Sequence, residues 1–379
     1  MKQLSQLSRR ARWAVPTGAV VVVGGVLAGS MISVAQAAPS LPAKTPAQLL
    51  AALAAKPATP PLTGTVVETS SLGLPSLPGT SSPGSLASLL TGSHTIRIWY
   101  SDPQHFRLAV PQSMSESDVI RNGSSAWVWE SSQNSVTHLV IPAKAGKNAR
   151  KAEPSQTPLT PQQAANEVLK QVGPTTTVRV DSNVTVAGQA AYQLVLAPKS
   201  SSSLIGQIRI AVDGTRDVPL RVQVFAKGAK SPAAQIGFTS VSFVKPAAAN
   251  FAFTPPAGAT VKTQQLGDER PAGKHARPSG DASTIGSGWL AVANLPGSAL
   301  TDTTKAIGQR PSSGSGLSGD TGAVVNALIR SATPVSGSWG SGRLIKTSLI
   351  SVLITNNGRV LVGAVTPQVL YSAAAQVAK

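Results

Sequence analysis

Hydrophobic and polar side chains alternate along most of this chain, in short runs that turn-forming residues separate. In the run 95–101, Ile96, Ile98 and Tyr100 fall on one face and Arg97 falls on the other. A two-residue period of this kind predicts strands with one buried face. Further strands are predicted at 62–70, 106–110, 126–130, 136–142, 177–186, 190–197, 206–213, 218–227 and 235–244. Strands that follow one another so closely favour one large antiparallel sheet over alternating βαβ units.

Two helical patterns lie among these strands. Thr45-Pro46 places a capping residue before a proline, which predicts a helix start, and the pattern continues to Leu53. A second helix is predicted at 161–172. Leu49, Leu50 and Leu53 form a narrow apolar stripe, so we expect the first helix to cover another part of the protein.

The last third of the chain reads as a separate module. Residues 263–283 mix Gly, Pro, Ser and charged residues without periodicity, which is typical of a linker. Beyond it, 284–379 is predicted as a small β/α module. Its predicted elements are a strand at 288–295, a helix at 320–330, a hairpin of 344–355 with 359–365 around Asn357-Gly358, and a helix from Thr366-Pro367 to near 378. The predicted fold class is therefore α+β: a curved antiparallel sheet covered by a few helices, plus the C-terminal module.

The first 37 residues have the organisation of an export signal. A basic head with Arg9, Arg10 and Arg12 precedes a long apolar run, and Ala35-Gln36-Ala37 offers a small-x-small cleavage site. The sequence therefore predicts a signal peptide at 1–37 and an extracytoplasmic location for the mature chain. The apolar run is also long enough to remain as an uncleaved membrane anchor.

Composition excludes several kinds of chemistry. The chain has 379 residues and no Cys, which rules out disulfides, thiolate metal sites and thiol catalysis. It has no Gly-x-Ser-x-Gly elbow and no histidines at a metal-binding spacing, so we predict a protein that is not an enzyme, with no catalytic residues, no metal and no cofactor. Aromatic residues make up 4% and no basic stretch is interleaved with them, which argues against a nucleic-acid partner.

The charge balance favours an anionic partner. The chain has 33 Lys+Arg against 15 Asp+Glu and a net charge of +18, which suits an anionic membrane surface. Lys144, Lys147, Arg150 and Lys151 are the candidate membrane-surface residues. A solvated basic loop is the alternative interpretation of that run.

Four motifs resemble the LolA-like lipoprotein-carrier superfamily, which includes the RseB/MucB sensor domain and lipid-binding lipoproteins of mycobacteria. They are Ile98-Trp99-Tyr100-Ser101-Asp102-Pro103-Gln104-His105-Phe106-Arg107, then Val119-Ile120-Arg121-Asn122-Gly123-Ser124-Ser125-Ala126-Trp127-Val128-Trp129, then Val212-Asp213-Gly214 with Pro219-Leu220-Arg221-Val222, and last Phe251-Ala252-Phe253-Thr254-Pro255-Pro256-Ala257-Gly258. The resemblance covers about residues 44–262. It depends on the order of helix, strand, loop and Trp-rich meander as well as on these motifs.

The resemblance implies an unclosed β-barrel in which helices form a lid over an apolar cavity. It implies an exported, non-enzymatic carrier that binds acyl chains of a lipid or lipoprotein in that cavity. The alternatives are an RseB/MucB-like extracytoplasmic sensor that binds a membrane protein partner, and an envelope structural protein with a filled core. Alternation together with this resemblance gives the candidate lining residues, which are Ile96, Ile98, Tyr100, Phe106, Leu108, Val222, Val224 and Phe238.

The sequence departs from the family pattern in two places. The classical carrier has an arginine before the early proline, which latches the lid, whereas here Asp102 precedes Pro103. The mycobacterial lipoproteins are tethered through an acylated Cys, and this chain has none. A latch of that kind and a lipid tether are therefore not expected.

Overall fold

The computed structural model describes residues 39–55, 59–73, 91–141, 160–170, 172–265, 282–297 and 329–377. The predicted signal segment, the basic run with Lys144, Lys147, Arg150 and Lys151, and most of the helix predicted at 320–330 lie outside these ranges. No helix within them is long and apolar enough to cross a bilayer.

Strands dominate the described chain. The helices are α1 (Pro46–Ala54), α2 (Pro161–Leu169) and α3 (Pro367–Val377). The first twelve strands are β1 (Leu62–Ser71), β2 (Thr91–Asp102), β3 (His105–Pro111), β4 (Glu116–Asn122), β5 (Ser125–Glu130), β6 (Ser135–Val140), β7 (Thr176–Val186), β8 (Gln189–Pro198), β9 (Ile205–Asp213), β10 (Pro219–Ala226), β11 (Ala234–Ser242) and β12 (Thr260–Gln265). The remaining six are β13 (Ser283–Ile285), β14 (Val292–Pro296), β15 (Thr333–Gly337), β16 (Gly340–Lys346), β17 (Ser351–Thr355) and β18 (Arg359–Gly363).

The first twelve strands form one sheet in the order β12-β6-β5-β4-β3-β2-β1-β11-β10-β9-β8-β7. Neighbouring strands are antiparallel, except that β12 runs parallel to β6. The two end strands, β12 and β7, are not paired with each other, so the curved sheet stays unclosed. This arrangement confirms the α+β fold with an unclosed sheet that the sequence predicted.

Both early helices pack on one face of this sheet, which we call the helix-covered face. Thr45 caps α1, because its Oγ1 accepts a hydrogen bond from the Gln48 amide at 3.2 Å while the Gln48 side chain accepts from the Thr45 amide at 2.8 Å. Leu49 and Leu53 of α1 are 0% and 1% exposed and join the main hydrophobic core, as does Ala165 of α2. Burial of these apolar side chains stabilises the contact between helices and sheet.

The opposite face, here the outer face, is covered in part by residues 243–259, the crossing segment. A 3₁₀ turn at Ala248–Phe251 lies against β3 and β4. Phe253 then contacts Trp127 and Trp129, with ring centroids 5.6 and 6.3 Å apart. The segment leads into β12, which pairs with β6 and thereby ends the sheet on that side.

The last strands form a second sheet in the order β13-β14-β18-β17-β16-β15, with α3 packed on β17 and β18. Trp289 precedes β14 and is 6% exposed within the core of the larger sheet. Its Nε1 donates to Thr176 Oγ1 at 2.8 Å. Ser203 and Val365 form a backbone bridge between the two parts.

The predicted division of the chain into 44–262, a linker at 263–283 and a module at 284–379 stays a prediction. Strand β12 extends three residues into the predicted linker, to Gln265.

Two element predictions in this region were wrong. The strand predicted at 288–295 begins as a 3₁₀ turn, Gly288–Leu290, because Gly286 and Gly288 take positive φ angles of 75° and 55°. The strand predicted at 344–355 is two strands, because Thr347 Oγ1 accepts hydrogen bonds from the amides of Leu349 and Ile350 and so closes a turn.

Candidate functional site

The eight predicted lining residues all lie on the helix-covered face. Ile98 of β2 lies opposite Leu108 of β3, and Tyr100 lies opposite Phe106. Val66 of β1 stands between Ile96 and Phe238. Val222 and Val224 lie on β10, opposite Ile210 and Ile208. The sheet therefore brings these side chains onto one surface.

Burial divides this set into two groups. Ile96, Ile98, Val222 and Phe238 are 1%, 5%, 3% and 7% exposed and belong to the core that includes α1 and α2. Tyr100, Phe106, Leu108 and Val224 are half-buried. The first group packs the helices against the sheet, so the second group offers the more accessible apolar surface.

That accessible surface continues across β4 and β5. Cross-strand pairing aligns Gly64, Ile98, Leu108, Val119 and Val128 in one line over five neighbouring strands, which we call the apolar row. The row runs from buried Ile98 beneath the helices to half-buried Val119 and Val128. At about 4.8 Å between strands it spans roughly 19 Å, on the scale of an extended acyl chain.

Sequence reasoning missed Val119 and Val128. The signal was present, since Val128 stands between Trp127 and Trp129 and so must face the other side of the sheet. The structure places the two tryptophans on the outer face. There Trp127 stacks on His138, with ring centroids 3.7 Å apart, and both tryptophans contact Phe253 of the crossing segment.

A polar edge borders the apolar row. Arg121 lies directly opposite Phe106 on the helix-covered face, is half-buried, and donates from Nε to the Gly123 carbonyl at 3.3 Å. Burial, and to a lesser extent the charge of Asp102, raise the pKa of Tyr100. A cation beside an apolar strip is an arrangement that suits an amphipathic ligand with an anionic head.

Asp102, which stands where the classical carrier has its latch arginine, closes its own turn. Its Oδ1 accepts a hydrogen bond from the Gln104 amide at 2.8 Å and lies 2.9 Å from His105 Nδ1. The carboxylate thus fixes the β2–β3 turn.

The outer face contains a buried charge cluster. Asp118 is 0% exposed, forms an ion pair with Arg107, and lies close to Glu116, which is 3.6 Å from Arg107. Burial is the main cause that raises the pKa of Asp118 to about 6, against the opposing attraction of Arg107. Asp118 Oδ1, Arg107 Nε and Trp129 Nε1 find no hydrogen-bond partner among the described residues.

Two surface pockets lie away from the predicted lining residues. A cavity of about 270 Å³ is lined on the outer face by Thr63, Thr65, Arg97 and Trp99 together with residues of β11. A cavity of about 540 Å³ lies beside β6 and β12 and is lined mainly by polar side chains with Lys262. Within the described ranges no three His, Asp or Glu side chains gather into a group that could hold a metal ion.

Comparison with known proteins gives matches to solved structures alone. No family model and no curated protein matches the chain. The matched structures include the Pseudomonas aeruginosa MucA/MucB complex, at 15% identity and a TM-score of 0.41 over 87% of this chain and 96% of the other. They include an uncharacterised conserved protein from Thermus thermophilus, at 12% identity and a TM-score of 0.31 over 57% and 98%. A LolA superfamily protein from Nitrosomonas europaea matches at 10% identity and a TM-score of 0.23 over 56% and 99%.

At such identities and TM-scores these matches carry no conclusion about family, ligand, partner or activity.

Proposed function

We propose that this protein is an extracytoplasmic, non-enzymatic binding protein that holds acyl chains of a lipid or lipoprotein along the helix-covered face of its large sheet. The observation that carries the proposal is the apolar row, in which exposure increases from Ile98 to Val119 and Val128. An acyl chain that lies along this row would gain about 0.8 kcal/mol of binding free energy for each methylene group that it buries. The export signal predicted at 1–37 supplies the location.

Arg121, at the side of the apolar row, would orient a bound amphipathic ligand. Arg121 lies opposite Phe106, at the side of the row, where it can pair with an anionic head group while the chain lies over Leu108 and Val119. Displacement of either helix would uncover the buried end of the row, because α1 and α2 pack on the same core as Ile98. An acyl chain that displaces a helix could therefore contact the whole apolar row, including the end that the helices cover.

The test introduces a charge into the half-buried part of the row. Val128→Glu and Val119→Glu should abolish uptake of a fluorescent phospholipid, because a carboxylate there would have to be desolvated against an acyl chain. Ile98→Glu is unsuitable, since Ile98 is 5% exposed within the helix-packed core and the substitution would unfold the protein. Fluorescence titration and native mass spectrometry of the mature chain would measure the uptake.

Val140→Glu is the matched control, because Val140 is half-buried on the outer face and pairs with Ser125. It should leave uptake unchanged. If folded Val128→Glu binds the phospholipid as tightly as the unmodified protein, the acyl site lies elsewhere. If the unmodified protein takes up no phospholipid and no acylated peptide, the proposal fails and a sensor that binds a membrane protein becomes the better hypothesis.

A further inference from the structure

The outer face of β7–β11 carries a band of arginine and glutamine side chains that the proposed acyl site does not use. Cross-strand pairing places Arg179, Val195, Arg209, Gln223 and Gln235 in one line over five strands. Arg221 lies one pair further along, between Ala211 and Gly237. The neighbours of Arg209 in sequence, Ile208 and Ile210, are in the core, which puts the arginines on the opposite face.

Both central arginines are held in place by their surroundings. Arg209 Cζ lies 4.8 Å from the centre of the Phe225 ring. With its amide oriented so that the oxygen faces Arg209, Gln207 accepts from Nε and Nη2 at 3.2 and 3.0 Å. The stem of Arg221 crosses Gly237 so closely that a Cβ at that position would lie 2.8 Å from Arg221 Cγ. Glycine at 237 therefore makes room for Arg221 to lie flat over β11.

The described residues balance the positive charge of this pair only in part. The nearby carboxylate of Asp181 is paired with Arg179, with Nη1 and Oδ2 3.0 Å apart, and it attracts Arg209 only over a longer distance. Across the described ranges, Arg209 and Arg221 form no ion pair, and Arg221 makes no hydrogen bond. Burial, and then the charge of Arg209, lower the pKa of Arg221. Two half-buried cations side by side destabilise the protein unless an anion joins them.

A solvated pair of surface arginines is the simplest alternative. Packing of the side-chain stems with the charged heads in water would explain the contacts of Arg209 with Phe225 and of the Arg221 stem with Gly237, but it would not leave two neighbouring arginines half-buried without an ion pair to the described residues. Arginine is the residue that best recognises planar or tetrahedral oxyanions, through paired N–H donors. The band also supplies neutral amide donors, since Gln223 and Gln235 lie beside the pair and are linked to each other at 2.6 Å.

We propose that Arg209 and Arg221 form an oxyanion-binding site for a phosphate group on the outer face of the sheet. The phosphate group can belong to a lipid head group at a membrane surface or to free phosphate, since both present the same oxygens. The site is independent of the apolar row, which lies on the other face. It would orient the protein on a phosphate-bearing surface while the acyl site stays free.

The experiment uses the full mature chain and two probes, inorganic phosphate and vesicles of phosphatidylglycerol. Calorimetry measures the first and vesicle co-sedimentation the second. Arg221→Gln and Arg209→Gln should each weaken binding roughly tenfold, because each removes charge-assisted hydrogen bonds. Arg97→Gln, at an exposed arginine on the outer face of β2 and three strands from β10, should change binding less than about twofold.

Arg221→Lys distinguishes a specific phosphate site from general electrostatic attraction to the positive charge. It keeps the charge and loses the paired donors, so it should lose binding nearly as Arg221→Gln does. Without ligand, Arg221→Gln should keep or raise the unfolding midpoint, because it removes an unbalanced cation; a purely structural role for Arg221 predicts a lower midpoint.

The probes then identify the source of the phosphate. Variant-sensitive binding of vesicles alone supports a lipid head group, and variant-sensitive binding of inorganic phosphate alone supports a soluble ligand. Three results would overturn the proposal: binding that Arg97→Gln weakens as much as Arg221→Gln does, binding that Arg221→Lys leaves unchanged, or no binding to either probe.

Discussion

At the scale of single residues, Asp118 gives the protein a stability that depends on pH. Its carboxyl is fully buried, and its pKa is raised from 3.8 to about 6 by that burial. The folded state therefore binds a proton more tightly than the unfolded state does between pH 4 and 6. Within this window the contribution of Asp118 to the free energy of unfolding increases as the pH falls.

We predict that Asp118→Asn removes this dependence. Over the whole window the contribution amounts to at most about 3 kcal/mol. Urea unfolding of both proteins at pH 4.5 and pH 7 would measure the difference in slope. Asp181→Asn is the control, because hydrogen bonding to Arg179 lowers the pKa of Asp181 and its titration falls below this window. An identical pH slope in Asp118→Asn and the unmodified protein would contradict the prediction.

At the scale of elements, the crossing segment completes the outer face. Phe251 is 3% exposed on β3 and β4, and Phe253 contacts Trp127 and Trp129. The segment thus covers a tryptophan-bearing surface that would otherwise face solvent. Its attachment also positions β12 beside β6, with which β12 pairs in parallel.

We predict that Phe251→Ala lowers the free energy of unfolding by about 3 kcal/mol, because it leaves a cavity beneath the segment. Tryptophan emission should shift to longer wavelength in the folded variant as water reaches Trp127 and Trp129. Val244→Ala, in the same segment but at a residue that is 71% exposed, should change the unfolding energy by less than about 0.5 kcal/mol. Equal effects from the two variants would show that the segment is not a packed element.

The sequence predicted most elements of the large sheet because local signals determine them. The alternation over 95–101 and the Thr45 cap both act within a few residues, and β2 and α1 form as expected. Alternation shows that a strand has two different faces, but it does not show which segment of the chain covers each face of the sheet. Phe253 reaches Trp127 from far along the chain, so the Trp-bearing side could not be assigned to the outer face beforehand. The apolar row could not be predicted for the same reason, because its residues become neighbours only when the strands pair.

At the scale of the whole molecule, the two sheets share buried residues. Trp289 lies in the core of the larger sheet and donates to Thr176 at the start of β7. Leu349 of the smaller part packs with Leu72 and Ala233 of the larger. Such shared packing couples the stabilities of the two parts, whereas the linker prediction implies that 44–262 folds by itself.

Hydrogen exchange of two tryptophan variants distinguishes these possibilities. We predict that Trp289→Ala accelerates amide exchange in β7 and β8, because it removes about 3 kcal/mol of packing together with the hydrogen bond from Trp289 to Thr176. Trp339 is the matched control: it is equally buried at 6% and stacks on Tyr371 within the smaller part. Trp339→Ala should accelerate exchange in β14–β18 and α3 and leave β7 and β8 protected. If Trp289→Ala also leaves β7 and β8 protected, the larger sheet is an independent domain and the predicted boundary at 262 holds.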